Sequence, residues 1–262
     1  MLEVIDLSKK FLEGTNNEVV ALEKIDFSLD DGNFVSVIGS NGAGKTTFLN
    51  LIAGSISPTT GKVLLEGVDV TGYSEHQRAA YIGRVFQEPG KGTAPGMTVA
   101  QNLSLAIKKS GRGLRKGVTS DRKERFREEL SKLGLGLEER LGERIRHLSG
   151  GQRQGLAVLM ATFTTPNLLL LDEHTASLDP KNADKIIDIT KKLVREKGLT
   201  TIMVTHDMKQ ALKLGNRLTM LHRGRIVYDV NGDKKQSLTI DDLLQSFSER
   251  DIEDDELLLS ID

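Results

Sequence analysis

Gly39-Ser40-Asn41-Gly42-Ala43-Gly44-Lys45-Thr46 follows the pattern G-x-x-x-x-G-K-[ST]. Residues of these types at this spacing bind phosphate. Glycines let the backbone turn tightly, so that several N–H groups face one concavity with no side chain in the way. Lys45 brings a mobile positive charge to the β- and γ-phosphates of a nucleotide, and the Thr46 hydroxyl is a ligand for Mg²⁺. A helix starting near Lys45 and running on through Thr47 directs its positive dipole end at the same phosphates.

Groups suited to hydrolysis lie far downstream. Asp172-Glu173 ends the apolar run Leu168 to Leu171, and His206 follows the strand-like run Thr200 to Val204. Phosphoryl transfer to water needs an in-line nucleophile and neutralisation of charge at the γ-phosphate; a carboxylate, a lysine, a histidine and a metal supply these. Alone, an acid pair after a strand and a histidine in a loop are ordinary surface features. A phosphate loop upstream and a place at the carboxyl end of a buried strand single them out.

The elements that must position these groups read as an α/β chain. Phe34 to Ile38 is a β-branched, apolar strand leading into the loop, and Thr47 to Ala53 is an apolar helix ended by Gly54. Leu2 to Ile5 and Val19 to Leu29 read as strands of an antiparallel flap, which also carries Phe11. Phe11 could stack on adenine or be a core ring. Lys62 to Glu66 and Tyr81 to Val85 are further strands. Glu88 to Gly96 is turn chemistry, and Thr98 is suited to cap a helix through Val99, Leu103 and Ile107.

Lys108 to Arg127 holds nine basic and two acidic residues, read as a solvated loop entering a surface helix with Phe126, Leu130 and Leu133 as its buried stripe. A membrane-surface or partner-docking role for these charges is the other reading. Lys181 to Glu196 is a helix, and Arg217 to Leu221 with Arg225 to Val230 resembles a hairpin turned at Arg223-Gly224. Strands alternating with helices imply a mostly parallel sheet with its ligand at the strands' carboxyl ends. The expected organisation is a nucleotide core with its β flap at residues 1–90 and 159–235, an α-helical lobe at 91–158, and an acidic, solvated tail at 236–262 in which Ile240 to Phe247 forms a short amphipathic helix.

Composition narrows the function classes. The chain has 262 residues, enough for one sizeable core with a second lobe, and no cysteine, so neither disulfides nor Cys-based zinc sites are available. Acidic and basic residues number 37 and 36, which gives no reason to expect a nucleic-acid binder. No apolar run approaches the length of a bilayer, and the amino terminus lacks a secretion signal, so a cytoplasmic location is expected, with any work at a membrane done through a partner.

Leu148-Ser149-Gly150-Gly151-Gln152, together with Gly39 to Thr46, Leu168 to Glu173, Ser177-Leu178-Asp179 and His206, in that order, makes the chain resemble the ATPase subunit of ABC transporters up to about Gly232. The resemblance implies a P-loop NTPase (RecA-like) core with a mostly parallel sheet, an antiparallel β flap and an inserted α-helical lobe. It implies that Gln87 senses Mg²⁺ and the attacking water, that Phe11 stacks on adenine, and that Asp172 holds Mg²⁺, largely through water. Glu173 would orient the nucleophilic water or accept its proton, and His206 would brace the γ-phosphate and Glu173. Ser149, Gly150, Gly151 and Gln152 open a helix and offer N–H groups to an anion. The resemblance makes them a second phosphate site for the ATP of another copy in an ATP-dependent homodimer, with Asp179 near the interface.

The chain departs from that family at His174, where the family usually has Pro. Either this is a tolerated turn substitution, or a His beside Glu173 makes turnover pH-dependent. Gly92 to Thr98 and Asp172 to Pro180 resemble the branch whose ATPases accompany a solute-binding protein and a permease of the tryptophan or tyrosine importer type. The implied protein is a Mg²⁺-dependent ATPase on the inner face of the membrane, driving a separate transmembrane permease with an extracytoplasmic solute-binding protein. Two other readings stand beside it: a soluble ABC-type ATPase acting on nucleic acid or ribosomes, and a nucleotide-binding regulatory module without turnover. The balanced charge and the intact Glu173 and His206 count against them.

Overall fold

The computed structural model describes residues 1–107 and 118–248, so the expectations for the basic loop across 108–117 and for the acidic run from Glu249 lie outside the described residues. Two compact units emerge, Met1–Ile82 with the chain from Leu199 on, and Gly83–Gly198. The first holds β1 (Leu2–Phe11), β2 (Val19–Leu29), β3 (Phe34–Ile38), α1 (Lys45–Ala53), β4 (Thr60–Leu65), β5 (Val68–Asp69) and α2 (Glu75–Arg78). β6 (Ile82–Val85) leads into the second, which adds α3 (Val99–Ala106), α4 (Ser120–Ser131), α5 (Gly150–Thr162), β7 (Leu168–Asp172) and α6 (Pro180–Lys197). The first unit then resumes with β8 (Thr200–Val204), α7 (Met208–Lys213), β9 (Arg217–His222), β10 (Arg225–Asn231), α8 (Gly232–Gln236) and α9 (Ile240–Ser248).

The expected flap is a four-stranded antiparallel sheet in the order β2-β1-β4-β5. Leu2, Val4 and Leu7 of β1 face Leu22, Ile25, Phe27 and Leu29 of β2 and Val63 and Leu65 of β4 in one apolar core layer. β1 runs to Phe11, beyond the Ile5 limit expected from alternation. The register shifts between Val4 and Leu7, where Asp6 adopts φ 45° and its N–H donates to Asp26 Oδ1 at 2.8 Å. Such a bulge breaks the period of two on which a sequence reading depends.

β3 is buried along its whole length and lies parallel to β8 on one side and β9 on the other. β10 returns antiparallel to β9 through the Arg223-Gly224 turn, as expected. α1 ends at Gly54 (φ 76°), whose N–H reaches Asn50 O and Leu51 O. Arg78, 1% exposed, donates to Leu51 O at 2.6 Å and Ile52 O at 2.8 Å. A cation thus meets the negative end of α1, the end opposite the phosphate loop.

In the second unit Thr98 and Gln101 form a capping box that starts α3. Phe126, Leu130 and Leu133 are buried as the helical period predicts, with the Phe126 ring edge-on to Phe163 at 5.9 Å.

The expectation of a solvated tail needs correcting at its start. Leu243 and Phe247, one helical turn apart on α9, are buried against Ile38, Met208, Ala211, Leu218 and Met220. An amphipathic helix gains stability by burying its apolar stripe, and here α7 and the β3–β9 surface provide the partner. Lys235 of α8 is buried too; its ammonium donates to Leu212 O, to Leu214 O at 2.9 Å and to Gly215 O at 3.0 Å, closing the carboxyl end of α7.

Candidate functional site

In the first unit, β3 delivers the chain into the phosphate loop at Gly39. This glycine has φ 150°, and a Cβ there would stand 2.1 Å from Leu221 O. Gly44 has φ 101° and caps α1; a Cβ on it would meet Ala21 O and the Leu22 side chain at 2.6 Å. Both positions are closed to side chains by backbone and strand packing behind the loop. Gly224 N–H donates to Ala43 O at 3.0 Å, fixing the β9–β10 turn against the loop.

Lys45 is 6% exposed and donates to Gly39 O at 2.6 Å and Ser40 O at 2.9 Å. The ammonium therefore lies folded over the loop's own carbonyls, held at the concavity rather than ranging in solvent. Thr46 is exposed, Thr47 half-buried, and the α1 start carries no side-chain cap. Helix-start N–H groups without a capping side chain suit an anion. Asn41 and Gly42 are exposed on the loop's outer turn, and Ala43 is buried beneath it.

β8 runs parallel to β3 and continues into Thr205-His206, with Thr205 N–H donating to Val37 O at 3.2 Å. His206 thus emerges, half-buried, at the same sheet edge as the phosphate loop. Asp207 follows it and caps α7 by accepting from Gln210 N at 2.9 Å. Phe11 is 39% exposed at the flap's end, opposite Val19 and with Lys9 Nζ 5.2 Å from its ring centroid. It is not a core ring; an aromatic face is presented at the surface.

In the second unit, β7 is buried throughout and ends at Asp172. Glu173 comes next, half-buried, with φ 43°, and its carbonyl accepts from Ala176 N at 3.0 Å. A non-glycine residue in left-handed backbone is uncommon, and such conformations gather at functional turns. Gln87 is exposed after β6, and its backbone carbonyl accepts from Ser177 Oγ at 3.4 Å.

Ser149 caps α5 through a reciprocal box: its Oγ accepts from Gln152 N at 3.2 Å, and Gln152 Oε1 accepts from Ser149 N at 3.1 Å. Gln152 also accepts from Arg140 Nη1 at 2.9 Å and donates to Leu135 O at 3.1 Å, so its amide is engaged in holding the helix start. Gly150 and Gly151 follow. A Cβ on Gly151 would stand 3.0 Å from Asn182 Oδ1, and Asn182 in turn donates to the Asp179 carboxylate at 2.6 Å. The α5 start and the α6 cap are thereby adjacent. Hydrogen bonds from Asn182 hold the Asp179 carboxyl below its ordinary value.

The sequence reading missed one cation, and of its two readings of one histidine the structure favours the tolerated turn substitution. Arg84 of β6 pairs with Asp172, Nη2 to Oδ2 at 3.2 Å, with both side chains 11% exposed, and its guanidinium lies 4.6 Å from the Phe86 ring centroid. No motif marks it, although a lone Arg in an otherwise apolar strand is a signal. His174 is 1% exposed and has Thr190 Oγ1 3.2 Å from its Nε2. Burial pushes its pKa down to about 4, so it stays neutral near neutral pH and cannot make turnover titrate there as one reading had it.

Thr46, Gln87 and Asp172 offer a hydroxyl, an amide carbonyl and a carboxylate. Each is an oxygen donor of the kind Mg²⁺ takes. Among the described residues no cluster of three or more His, Cys, Asp or Glu forms another metal site, and no helix is long and apolar enough to cross a membrane.

The family profile described as ABC transporter matches residues 22–176. A tyrosine transport ATP-binding protein of Clostridioides difficile (strain R20291) is 42% identical over 247 residues, covering 94% of this chain and 98% of that protein. The ABC transporter ATP-binding protein YtrE of Bacillus subtilis (strain 168) is 33% identical over 232 residues, covering 86% and 96%. Among solved structures, a dimeric ATP-binding cassette in a post-hydrolysis state bound to ADP and Pi superposes with a TM-score of 0.75 at 31% identity, covering 88% of this chain and 98% of that one.

Proposed function

The chain belongs to the ATP-binding subunits of ABC transporters, and on that premise we propose that it powers import of an amino acid, with the aromatic amino acids as the candidate cargo. It binds ATP and couples its hydrolysis to transport. The cargo reading takes its support from the tyrosine transport protein, similar along almost the full length of both chains. The permease is a separate membrane protein whose inner face this subunit occupies, supplied with cargo by an extracytoplasmic solute-binding protein.

The observation that carries hydrolysis, as distinct from binding, is Glu173 held in left-handed backbone directly after Asp172 at the end of a buried strand. Lys45 and the loop N–H groups bind the phosphates, and Phe11 stacks on the base. Glu173 orients a water and takes its proton as the water oxygen bonds to the γ-phosphorus. The bond to the ADP oxygen breaks, and charge on the transferring group is met by Lys45 and His206. Thr46, Gln87 and Asp172 would hold Mg²⁺, which would supply further neutralisation of the phosphates. Ser149, Gly150 and Gly151 offer N–H groups to the ATP of a second copy, so that ATP joins two subunits and hydrolysis parts them.

The relatives are transport proteins, which does not favour a soluble ATPase acting on nucleic acid or ribosomes. Steady-state phosphate release tests the catalytic reading. Glu173→Gln is expected to bind ATP with near-parental affinity and to release phosphate roughly 10²-fold more slowly or worse. Parental turnover in that variant would remove Glu173 from the mechanism.

A further inference from the structure

We infer that His174 and Thr190 form a buried latch that positions Glu173, making both of them positioning residues for hydrolysis; the inference rests on Glu173 serving as the base. Glu173 O accepts from Ala176 N at 3.0 Å, so Glu173 to Ala176 is a tight turn whose central residues are His174 and Thr175. Both are buried, at 1% and 6% exposure. Glu173 itself has φ 43°, a conformation that persists in a non-glycine residue only where the surroundings over-determine it. Within the second unit, His174 reaches from this turn to Thr190 of α6.

The hydrogen bonds fix the direction of that link. Thr190 Oγ1 donates its single proton to Ile186 O at 2.8 Å, so towards His174 Nε2 it can only accept. His174 must therefore carry its proton on Nε2, and Nδ1 is left as a bare lone pair, buried and without a partner. A buried acceptor without a donor is destabilising. An aliphatic side chain would avoid that cost, as burial alone gives no reason for an imidazole here. What the imidazole adds is the Nε2–H bond to α6, which ties the turn to a helix stabilised along its length by Ile186, Ile187, Ile189, Leu193 and Val194 in the unit's core. The latch therefore governs where the Glu173 carboxylate is held.

The latch is tested by two conservative pairs, with Glu173→Gln as the reference. Thr190→Val and His174→Leu remove the acceptor and the donor at similar volume; Thr190→Ser and His174→Gln keep them. Each of the first pair is expected to lower kcat roughly ten- to a hundredfold, with KM for ATP within about twofold. Their effects should not add in the double variant, and the second pair should keep most of the parental kcat. In ¹⁵N NMR the parental His174 should show the neutral Nε2–H tautomer, and Thr190→Val should shift its ring nitrogens. Parental kcat in Thr190→Val while Glu173→Gln is inert overturns the latch and leaves the base in place. Parental turnover in Glu173→Gln overturns the base and the latch together. An Nδ1–H tautomer contradicts the latch independently of whether any variant folds.

Discussion

The Asp172 carboxylate leaves water at the end of β7, and a charge in that position needs a partner nearby. Arg84 meets it at 3.2 Å with little solvent to screen the pair. Arg84→Met keeps the stem and deletes the cation, so it is expected to lower stability by roughly 1–3 kcal/mol in urea unfolding; an unchanged midpoint would argue that Asp172 does not depend on Arg84. His174 gives a pH prediction of definite sign. Its ordinary pKa of 6.5 falls to about 4 in the folded protein, so the unfolded chain takes up the proton first. Stability on its account is full above 6.5 and declines as pH falls from there towards 4, with a slope of up to about 1.4 kcal/mol per pH unit. His174→Leu should flatten the decline between pH 6.5 and pH 4 in denaturation series, and an identical slope would contradict the burial. The loop from Gly39 to Thr46, between β3 and α1, was legible in the sequence, because phosphate chemistry demands particular residue types at short spacing. Arg84 with Asp172 was not, since its two partners stand 88 positions apart and only the fold brings them together. His174 was noticed as a departure, but its burial and its bond to Thr190 lie beyond what a turn of sequence can say.

Helix starts were the most readable elements. Thr98 with Gln101 and Ser149 with Gln152 are capping boxes whose residues lie three apart in the chain. The β1 bulge and the partner of α9 were harder, for different reasons. A bulge erases the alternation that marks a strand, and an amphipathic period announces a buried face without naming what covers it. α9 turns out to be a prop for α7, the helix that follows His206, through Leu243 and Phe247. Leu243→Ala, at a fully buried site, is expected to cost about 2–4 kcal/mol in urea unfolding. A loss below about 0.5 kcal/mol, the range of ordinary surface substitutions, would return α9 to the status of a solvated appendage.

At the scale of the whole molecule, the proposed function calls for two copies of the chain around each nucleotide. The phosphate loop and His206 share one sheet edge in the first unit, while the second unit carries both Glu173 and a separate helix start at Ser149 to Gly151. On the proposed reading a two-fold pair gives each ATP the loop of one copy and the helix start of the other. ATP then stabilises the pair by binding it, and hydrolysis to ADP and phosphate removes that stabilisation. Sedimentation velocity of Glu173→Gln with Mg²⁺ and ATP tests this directly. The account predicts a dimer holding two nucleotides that returns to monomer when ATP is replaced by ADP; a variant that stays monomeric with ATP bound would contradict it.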